Sequence, residues 1–351
     1  MRGGNTKAII VVEDSELAKR KIFGLPVIKH IYHALKAAKI RDIEIVCKKK
    51  EKLDGLLNAR ISKSYSKITP GAKNLIVYSK FLLDKDKILR FLKRCNVVFY
   101  SKNEIVAIFC DKEKYSKTSD PKNLKKVLRS EQISCLRLSE KNIGTAEKKI
   151  KERIAPETKQ ITIDGIIAKT INRRVSLRIT KIIANTNITP NQITIFATLL
   201  MIFGASLLLL KSRIYTAIAG IIIQLACIID GCDGEIARLK YMQSDKGAFL
   251  DLVMDRYADA FTVAMLTLAQ PFTPLNVIVG MLALFGVVIR NYVSSLAKFI
   301  LDNYLAGIDS RDIRCFLIFL FCLLGEPFLA LLAIALLTNI TTLCRIVMIV
   351  K

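Results

Sequence analysis

The hydrophobic pattern divides the chain into two regimes. Through residues 7–150, short apolar runs of strand length alternate with segments of helical period. Ala8–Val12 reads as a buried strand. The spacing of Ile28, Ile31, Leu35 and Ala38 predicts a helix over Pro26–Lys39. Ile43–Cys47 and Asn74–Tyr78 are further strands, Lys85–Arg94 is a second helix, and Asn96–Tyr100 and Ile105–Phe109 are two more strands. The charged stretch Asp111–Asn123, which carries Pro121, is a loop. Such alternation implies an α/β domain with a mainly parallel sheet and helices on both faces.

Beyond residue 160 the pattern changes. Ile163, Ile166, Ile167, Ile171, Val175, Ile179 and Ile182 keep a helical period over 161–184, with Lys169, Arg173, Arg174, Arg178 and Lys181 around them. A basic amphipathic helix of this kind can lie in the headgroup layer of a bilayer, or pack as a surface helix on the first domain. The apolar runs that follow, Ile193–Leu210, Tyr215–Ile229, Phe249–Leu268, Leu275–Ala297, Cys315–Leu324 and Pro327–Val350, mostly approach the ~20 residues that cross a bilayer as helix. They predict six spans, or five if the short run at Cys315 merges with the next.

Charge sharpens the division. Of 55 Lys and Arg, 43 fall in residues 1–190 against 19 acids, a net of +24; residues 191–351 hold 12 against 11, a net of +1. The expected organisation is a domain over 1–150, a linker with a juxtamembrane helix over 151–189, and a transmembrane domain over 190–351. Arg173–Lys181, Arg238–Lys246, Lys298–Arg314 and Lys351 place the basic loops on one side, which the positive-inside rule makes cytoplasmic; Lys211 and Arg213 run against it. The start of the chain has five apolar residues before Glu13 and Asp14, too few for a secretory leader, so the first domain is expected in the cytoplasm. Nine cysteines without a CxxC pair fit a reducing compartment or lipid burial. The two histidines, His30 and His33, read as packing residues of the first helix.

The chemistry sits in Asp230, Asp233, Arg238, Gly247, Asp251 and Asp255. A carboxylate at membrane depth is costly unless solvated, paired or metal-bound. Asp230 and Asp233 are three apart and share one helical face; Asp251 and Asp255 are four apart and share another. The residues between Arg238 and Leu250 form the turn that brings the faces together. Four converging acids repel unless cations sit between them. Residues 191–351 contain no histidine, so ligation by oxygen alone points to Mg²⁺, Mn²⁺ or Ca²⁺. Such ions commonly bind phosphates, and Arg238 can add a forked contact. The competing reading is a cation-binding transporter or channel with a cytoplasmic regulatory domain, because acids also mark ion paths.

The pattern D-x2-D-G-x2-A-R-x8-G-x3-D-x3-D resembles the signature of the CDP-alcohol phosphotransferases (the CDP-alcohol phosphatidyltransferase family). It is met at Asp230, Asp233, Gly234, Ala237, Arg238, Gly247, Asp251 and Asp255. Thr189, Pro190, Asn191, Gln192, Ile193 and Thr194 are similar to that family's start of the first span. The resemblance covers residues 160–351. It implies a six-helix membrane enzyme, usually a homodimer, that moves a phospho-alcohol from a CDP-alcohol to a second alcohol and releases CMP. Asp230, Asp233 and Asp251 would bind the metals. Asp255 would act as general base and touch the second metal, with Asp259 one turn beyond. Asp230, Asp233, Gly234, Ala237, Arg238, Gly247, Asn191 and Thr194 would line the CDP. Arg290, mid-run, with Arg311, Arg314 and Arg174, are candidates for binding an anionic acceptor, or are headgroup anchors and structural ion pairs.

The first domain, through Lys7–Val12, Gly24–Ile28, Ala37–Ile40 and Ile43–Val46, resembles the start of sugar-phosphate nucleotidyltransferases. Those enzymes follow the first strand with a Gly-rich loop and place a metal-binding Asp after a middle strand. Here the loop is Glu13–Ala18, without Gly and with three acids, and Ser79 and Lys80 follow Asn74–Tyr78. The domain therefore reads as an inactive copy. The fused pair is similar to the bifunctional inositol-1-phosphate cytidylyltransferase/di-myo-inositol phosphate phosphate synthases, which implies CDP-inositol as donor and inositol phosphate or a polar lipid headgroup as acceptor.

Overall fold

The computed structural model describes residues 6–47, 60–62, 73–102, 104–111, 129–139, 142–154, 172–301 and 311–350. The expected loop after Asp111 and the first half of the expected amphipathic helix, Ile163 to Ile171, lie outside them. Two compact units are present. One takes Met1–Pro156 with Lys181–Thr186 and Arg238–Met242; the other takes the rest.

The first unit is built on a seven-stranded sheet. Its strands are β1 (Thr6–Val12), β4 (Asp42–Cys47), β5 (Arg60–Ser62), β6 (Lys73–Tyr78), β8 (Val97–Ser101), β9 (Glu104–Asp111) and β10 (Arg129–Gln132), in the order β10-β8-β9-β6-β1-β4-β5. Two short pairs complete it: β2 (Lys21–Ile22) with β3 (Leu25–Pro26), and β7 (Phe81–Leu82) with β11 (Leu136–Arg137). The interior strand β1 is buried from Lys7 to Val12 and pairs in parallel with β4 and β6. Continuous burial explains why it reads as an unbroken apolar run. Lys7 meets Glu44 at 2.7 Å across the ladder, so its buried charge is paired.

The sheet is mixed. β9 runs antiparallel to both β6 and β8. The reason lies in the spacing: β8 and β9 are separated by two residues, enough for a hairpin and far too few for a crossover helix. Three helices are α1 (Ser15–Lys19), α2 (Val27–Ala37) and α3 (Lys85–Leu92), followed by α4 (Ile143–Ile154). The anticipated stripe of α2 is the one it buries, with Ile28 and Leu35 at 0% exposure and Ile31 at 1%. His30 joins it, its Nε2 2.9 Å from the carbonyl oxygen of Ile22. Burial pushes His30 and His33 down to about 4. Gly24 turns β2 into β3 with φ of 77°, and a Cβ there would lie 1.9 Å from the carbonyl oxygen of Lys181, so no other residue fits.

In the second unit the six apolar runs all become helices. After α5 (Arg173–Ile183) come α6 (Pro190–Ser206), continued by a 3-10 turn over Leu207–Leu210, then α7 (Arg213–Lys240), α8 (Asp245–Ala269), α9 (Pro274–Leu301), α10 (Arg311–Leu324) and α11 (Pro327–Val350). Thr189 and Gln192 close a capping box at the start of α6, with Pro190 in its first turn. Met201, Ile223, Ala258, Leu266, Ile318 and Leu331 are among the buried residues where the helices meet. Phe196, Phe203, Phe249 and Phe285 face outward and are more than half exposed. In water such a surface costs ~25 cal/mol per Å²; against acyl chains it costs nothing. Four helices are long and apolar enough to cross a membrane: Pro190–Leu210, Arg213–Lys240, Pro274–Val293 and Pro327–Val347. α8 is diluted by Asp245, Lys246, Asp251, Asp255, Arg256 and Asp259, and α10 has 14 residues.

Candidate active site

α7 carries Asp230 and Asp233 one turn apart, and α8 carries Asp251, Asp255 and Asp259 at successive turns. One carboxylate oxygen from each of Asp230, Asp233 and Asp251 lies within 4.8 Å of the other two. Asp233 is held on both oxygens: the Thr194 hydroxyl donates to Oδ2 at 2.5 Å, and the Gly234 amide donates to Oδ1. Asp230 Oδ1 is buried and has no hydrogen-bond partner. Three gathered carboxylates, one with an orphaned oxygen, fit a hard divalent cation: the donor set is all oxygen and the charge is in excess.

Two arginines of α10 meet the same acids. Arg311 Nη1 donates to Asp230 Oδ2 at 2.6 Å, and Nε donates to Asp259 Oδ1 at 3.2 Å. The same Nη1 stands 2.5 Å from Asp255 Oδ1, as a charge contact without hydrogen-bond alignment. Arg314 Nη2 donates to Asp259 Oδ2 at 2.6 Å. The gathered carboxylates outnumber these two guanidiniums. Asp259 thus takes its place through two arginines rather than by facing water.

The remaining site candidates fall as follows. Asn191 and Gly247 are neighbours: a Cβ on Gly247 would lie 3.2 Å from Asn191 Oδ1 and 3.0 Å from Ser244 Oγ, so the absent side chain brings the starts of α6 and α8 together. Ala237 is half-buried on α7, and Arg238 Nε donates to the carbonyl oxygen of Ile154. Arg290 is buried in α9, its Nη1 3.1 Å from Asn291 Oδ1, and Arg174 is exposed on α5. Of the four arginines named for an acceptor, Arg311 and Arg314 contact the acids.

Glu235 went unnoticed in the sequence. It is 3% exposed and accepts from the Ser176 hydroxyl at 2.7 Å and the Thr180 hydroxyl at 2.6 Å. Asn172 continues that line, accepting from Gln224 Nε2 at 2.8 Å and donating to Asp312 Oδ1 at 2.6 Å. The inward face of α5 is therefore the polar line Asn172, Ser176, Thr180, while Ile182 of the expected apolar stripe is 77% exposed. The signal was present: three polar residues at intervals of four, beside a buried acid one residue from the Asp233–Gly234 pair.

Residues 187–350 match the CDP-alcohol phosphatidyltransferase family. Over 172 residues the chain is 39% identical to the bifunctional IPC transferase and DIPP synthase of Archaeoglobus fulgidus, covering 46% of this chain and 33% of that protein. It is 35% identical over 203 residues to the protein of the same name from Thermococcus kodakarensis, covering 54% and 45%. The chain thus spans less than half the length of these bifunctional relatives. It is 32% identical over 173 residues to the archaetidylinositol phosphate synthase of Pyrococcus horikoshii, covering 48% of this chain and 87% of that one. A crystal structure of Mycobacterium tuberculosis phosphatidylinositol phosphate synthase with CDP-DAG bound aligns at a TM-score of 0.43 and 19% identity, over 49% of this chain and 92% of that one. With four helices of spanning length, this is a multi-pass membrane protein. The acid-bearing helices lie inside the matched segment, and the chain belongs to the CDP-alcohol phosphatidyltransferase family.

Proposed function

We propose that the chain is a metal-dependent CDP-alcohol phosphotransferase of the cell membrane, transferring a phospho-alcohol from a CDP-alcohol to an acceptor hydroxyl with release of CMP. The observation that carries this is the meeting of Asp230, Asp233 and Asp251 within 4.8 Å at the matched signature. These three would hold a divalent cation, Mg²⁺ or Mn²⁺, with Asp255 beside them. When bound, the cation would neutralise the donor's diphosphate and stabilise CMP as leaving group.

The protein's own groups supply the rest. Thr194 and the Gly234 amide fix the carboxylate of Asp233. Gly247 and Asn191, close neighbours at the starts of α8 and α6, are candidates for contacting the nucleotide, as are Ala237 and Arg238 of the signature. Asp255 takes the proton of the acceptor hydroxyl. The acceptor oxygen bonds to the phosphorus bearing the donor's alcohol, the bridging P–O bond breaks, and its electron pair leaves on CMP. Arg311 already lies between Asp230 and Asp255; with a cation on those acids its guanidinium is free to meet an anionic acceptor, with Arg314 one turn on and Arg290 and Arg174 as further candidates. CDP-inositol as donor and inositol phosphate or a polar lipid headgroup as acceptor follow from the kinship with the bifunctional relatives.

The proposed arrangement is six spans with both the site and the first domain cytoplasmic, working as a homodimer. We read residues 1–150 as a nucleotidyltransferase-like domain without that activity. The loop after β1 caps itself: Asp14 Oδ1 accepts from the amides of Glu16 at 2.9 Å and Leu17 at 3.2 Å, groups that a phosphate would otherwise need. Lys80, where such enzymes hold a metal-binding Asp, pairs with Glu13 at 2.9 Å.

CMP release tests the reading. Membranes carrying the chain are incubated with Mg²⁺ or Mn²⁺, a panel of CDP-alcohols and candidate acceptors. Wild type should release CMP with at least one pair, and D255N should lose ~10²–10⁴-fold, the usual span of a general base. Equal release by wild type and by D255N and D230N sinks the proposal.

A further inference from the structure

The first unit holds a cavity of about 330 Å³ that the proposed reaction does not use. It lies between the first turn of α3, the last turns of α4 and Tyr241. Four cations line it, Lys85, Lys87, Lys149 and Arg153, against two carboxylates, Asp84 and Asp86, leaving two positive charges. Asp84 is already committed: it accepts from the Lys87 amide and the Lys87 ammonium, both at 2.9 Å. The remaining wall includes Leu82, Leu136 and Ile150, an apolar strip beside the charged one.

Arg153 gives the cavity its chemistry. Its guanidinium stacks on the Tyr241 ring, 4.5 Å from the centroid, and Nη1 donates to the Tyr241 hydroxyl. The ring fixes the plane of the guanidinium. The other edge, Nε with Nη2, is buried and has no hydrogen-bond partner. That edge is the fork that takes two oxygens of one phosphate or carboxylate. A buried donor pair left unmet is costly, so an acceptor on that edge would be stabilising. Tyr241 itself sits at φ 55°, a left-handed backbone that a tyrosine adopts only when its surroundings hold it there.

We propose that this cavity binds a phosphomonoester, with the phosphate on the Nε/Nη2 edge of Arg153 and near Lys85 and Lys149, and a small body along Leu82, Leu136 and Ile150. A phosphomonoester carries about two negative charges near neutral pH, which matches the excess of two; a carboxylate or phosphodiester carries one. The volume lies at the lower end for small-molecule sites, enough for a compact ester. The phosphate can come from a soluble ester or from a lipid headgroup of the same chemistry.

The test uses the full chain in detergent with EDTA present, which removes cation-assisted binding at the aspartates. Equilibrium dialysis measures labelled inorganic phosphate and glycerol 3-phosphate; a parallel arm measures phosphatidic acid in mixed micelles. One saturable site per chain is expected. It should weaken at least tenfold in R153K, which keeps the charge but removes the fork, and in K149Q, and it should be unchanged in D251N. Retention of glycerol 3-phosphate supports a soluble ester, and retention of phosphatidic acid alone supports a headgroup. Absence of saturable binding by all three probes overturns the proposal, as does binding that both R153K and K149Q leave intact. K149Q decides the matter if R153K fails to fold.

Discussion

Arg311 is where the energetics of the acid cluster concentrate. Its side chain is 13% exposed and reaches three carboxylates, on Asp230, Asp255 and Asp259. Breaking a buried pair by removing one partner costs ~3–5 kcal/mol, because the other charge stays behind. Arg311→Gln is therefore expected to lower the melting temperature in EDTA by several degrees. Manganese should restore the loss and bind several-fold tighter than to wild type, since the acids no longer share themselves with a guanidinium. Thermal unfolding with and without Mn²⁺ reads both effects; unchanged melting in EDTA would contradict the assignment. At this scale the acids were legible because a carboxylate in an apolar run stands out against its surroundings. Glu235 was hidden by the same motif, lying at one of its unspecified positions, and its partners Ser176 and Thr180 look like ordinary surface residues of a basic helix. Arg311 was visible as a cation near a phosphate site, but its engagement with acids two helices away depends on a packing that no local spacing reveals.

At the scale of elements, α5 and α7 are joined by polar contacts away from the acid cluster. Glu235 receives both hydroxyls from α5, and a glutamine there offers one acceptor oxygen and an amide that cannot accept. Glu235→Gln should cost ~1–3 kcal/mol, the usual penalty for a buried polar group left unmet. Thermal unfolding of wild type and E235Q measures it; equal melting would place no weight on the link. The helices of this unit were legible as elements, since length and hydropathy dictate them, but their ends were not: α7 runs past Ile229 to Lys240 and α8 starts at Asp245, so the expected turn between Arg238 and Leu250 is confined to the few residues between those two helices. Ahead of the short apolar run at Cys315, α10 carries Arg311 and Arg314, which reach Asp259. In the sheet, five strands were readable, but the outer strands β5 and β10 lack an apolar run and were not, and the direction of β9 was not taken from the short link before it, which leaves room for nothing but a hairpin.

For the whole molecule, the segregation of charge marks two solvents. The first unit is an α/β domain and its stability answers to pH. Burial holds His30 near 4, against ~6.5 in an unfolded chain. Between those values the unfolded chain binds the more protons, so the stabilisation is complete above about pH 6.5 and is lost as pH falls toward 4. His33, pushed down by burial as well, acts in the same sense. Amide protection factors in β1 should therefore fall between pH 7 and pH 5, and less so in His30→Leu; equal protection at both pH values would contradict this. The second unit is built for a bilayer, with its outward face apolar and its charge drawn into one cluster. Composition made that contrast plain, whereas the cavity beside Arg153 was invisible, because its lining is collected from four separate stretches of chain.

The account depends most on whether the aspartates of α7 and α8 hold a divalent cation together. Manganese binding to the purified chain, followed by the loss of the free-ion signal in electron paramagnetic resonance, measures this without any assumption about substrate. Saturable uptake by wild type, weakened at least tenfold in both D230N and D251N, is the predicted result. Uptake that is absent in wild type, or that survives undiminished in both variants, would contradict it.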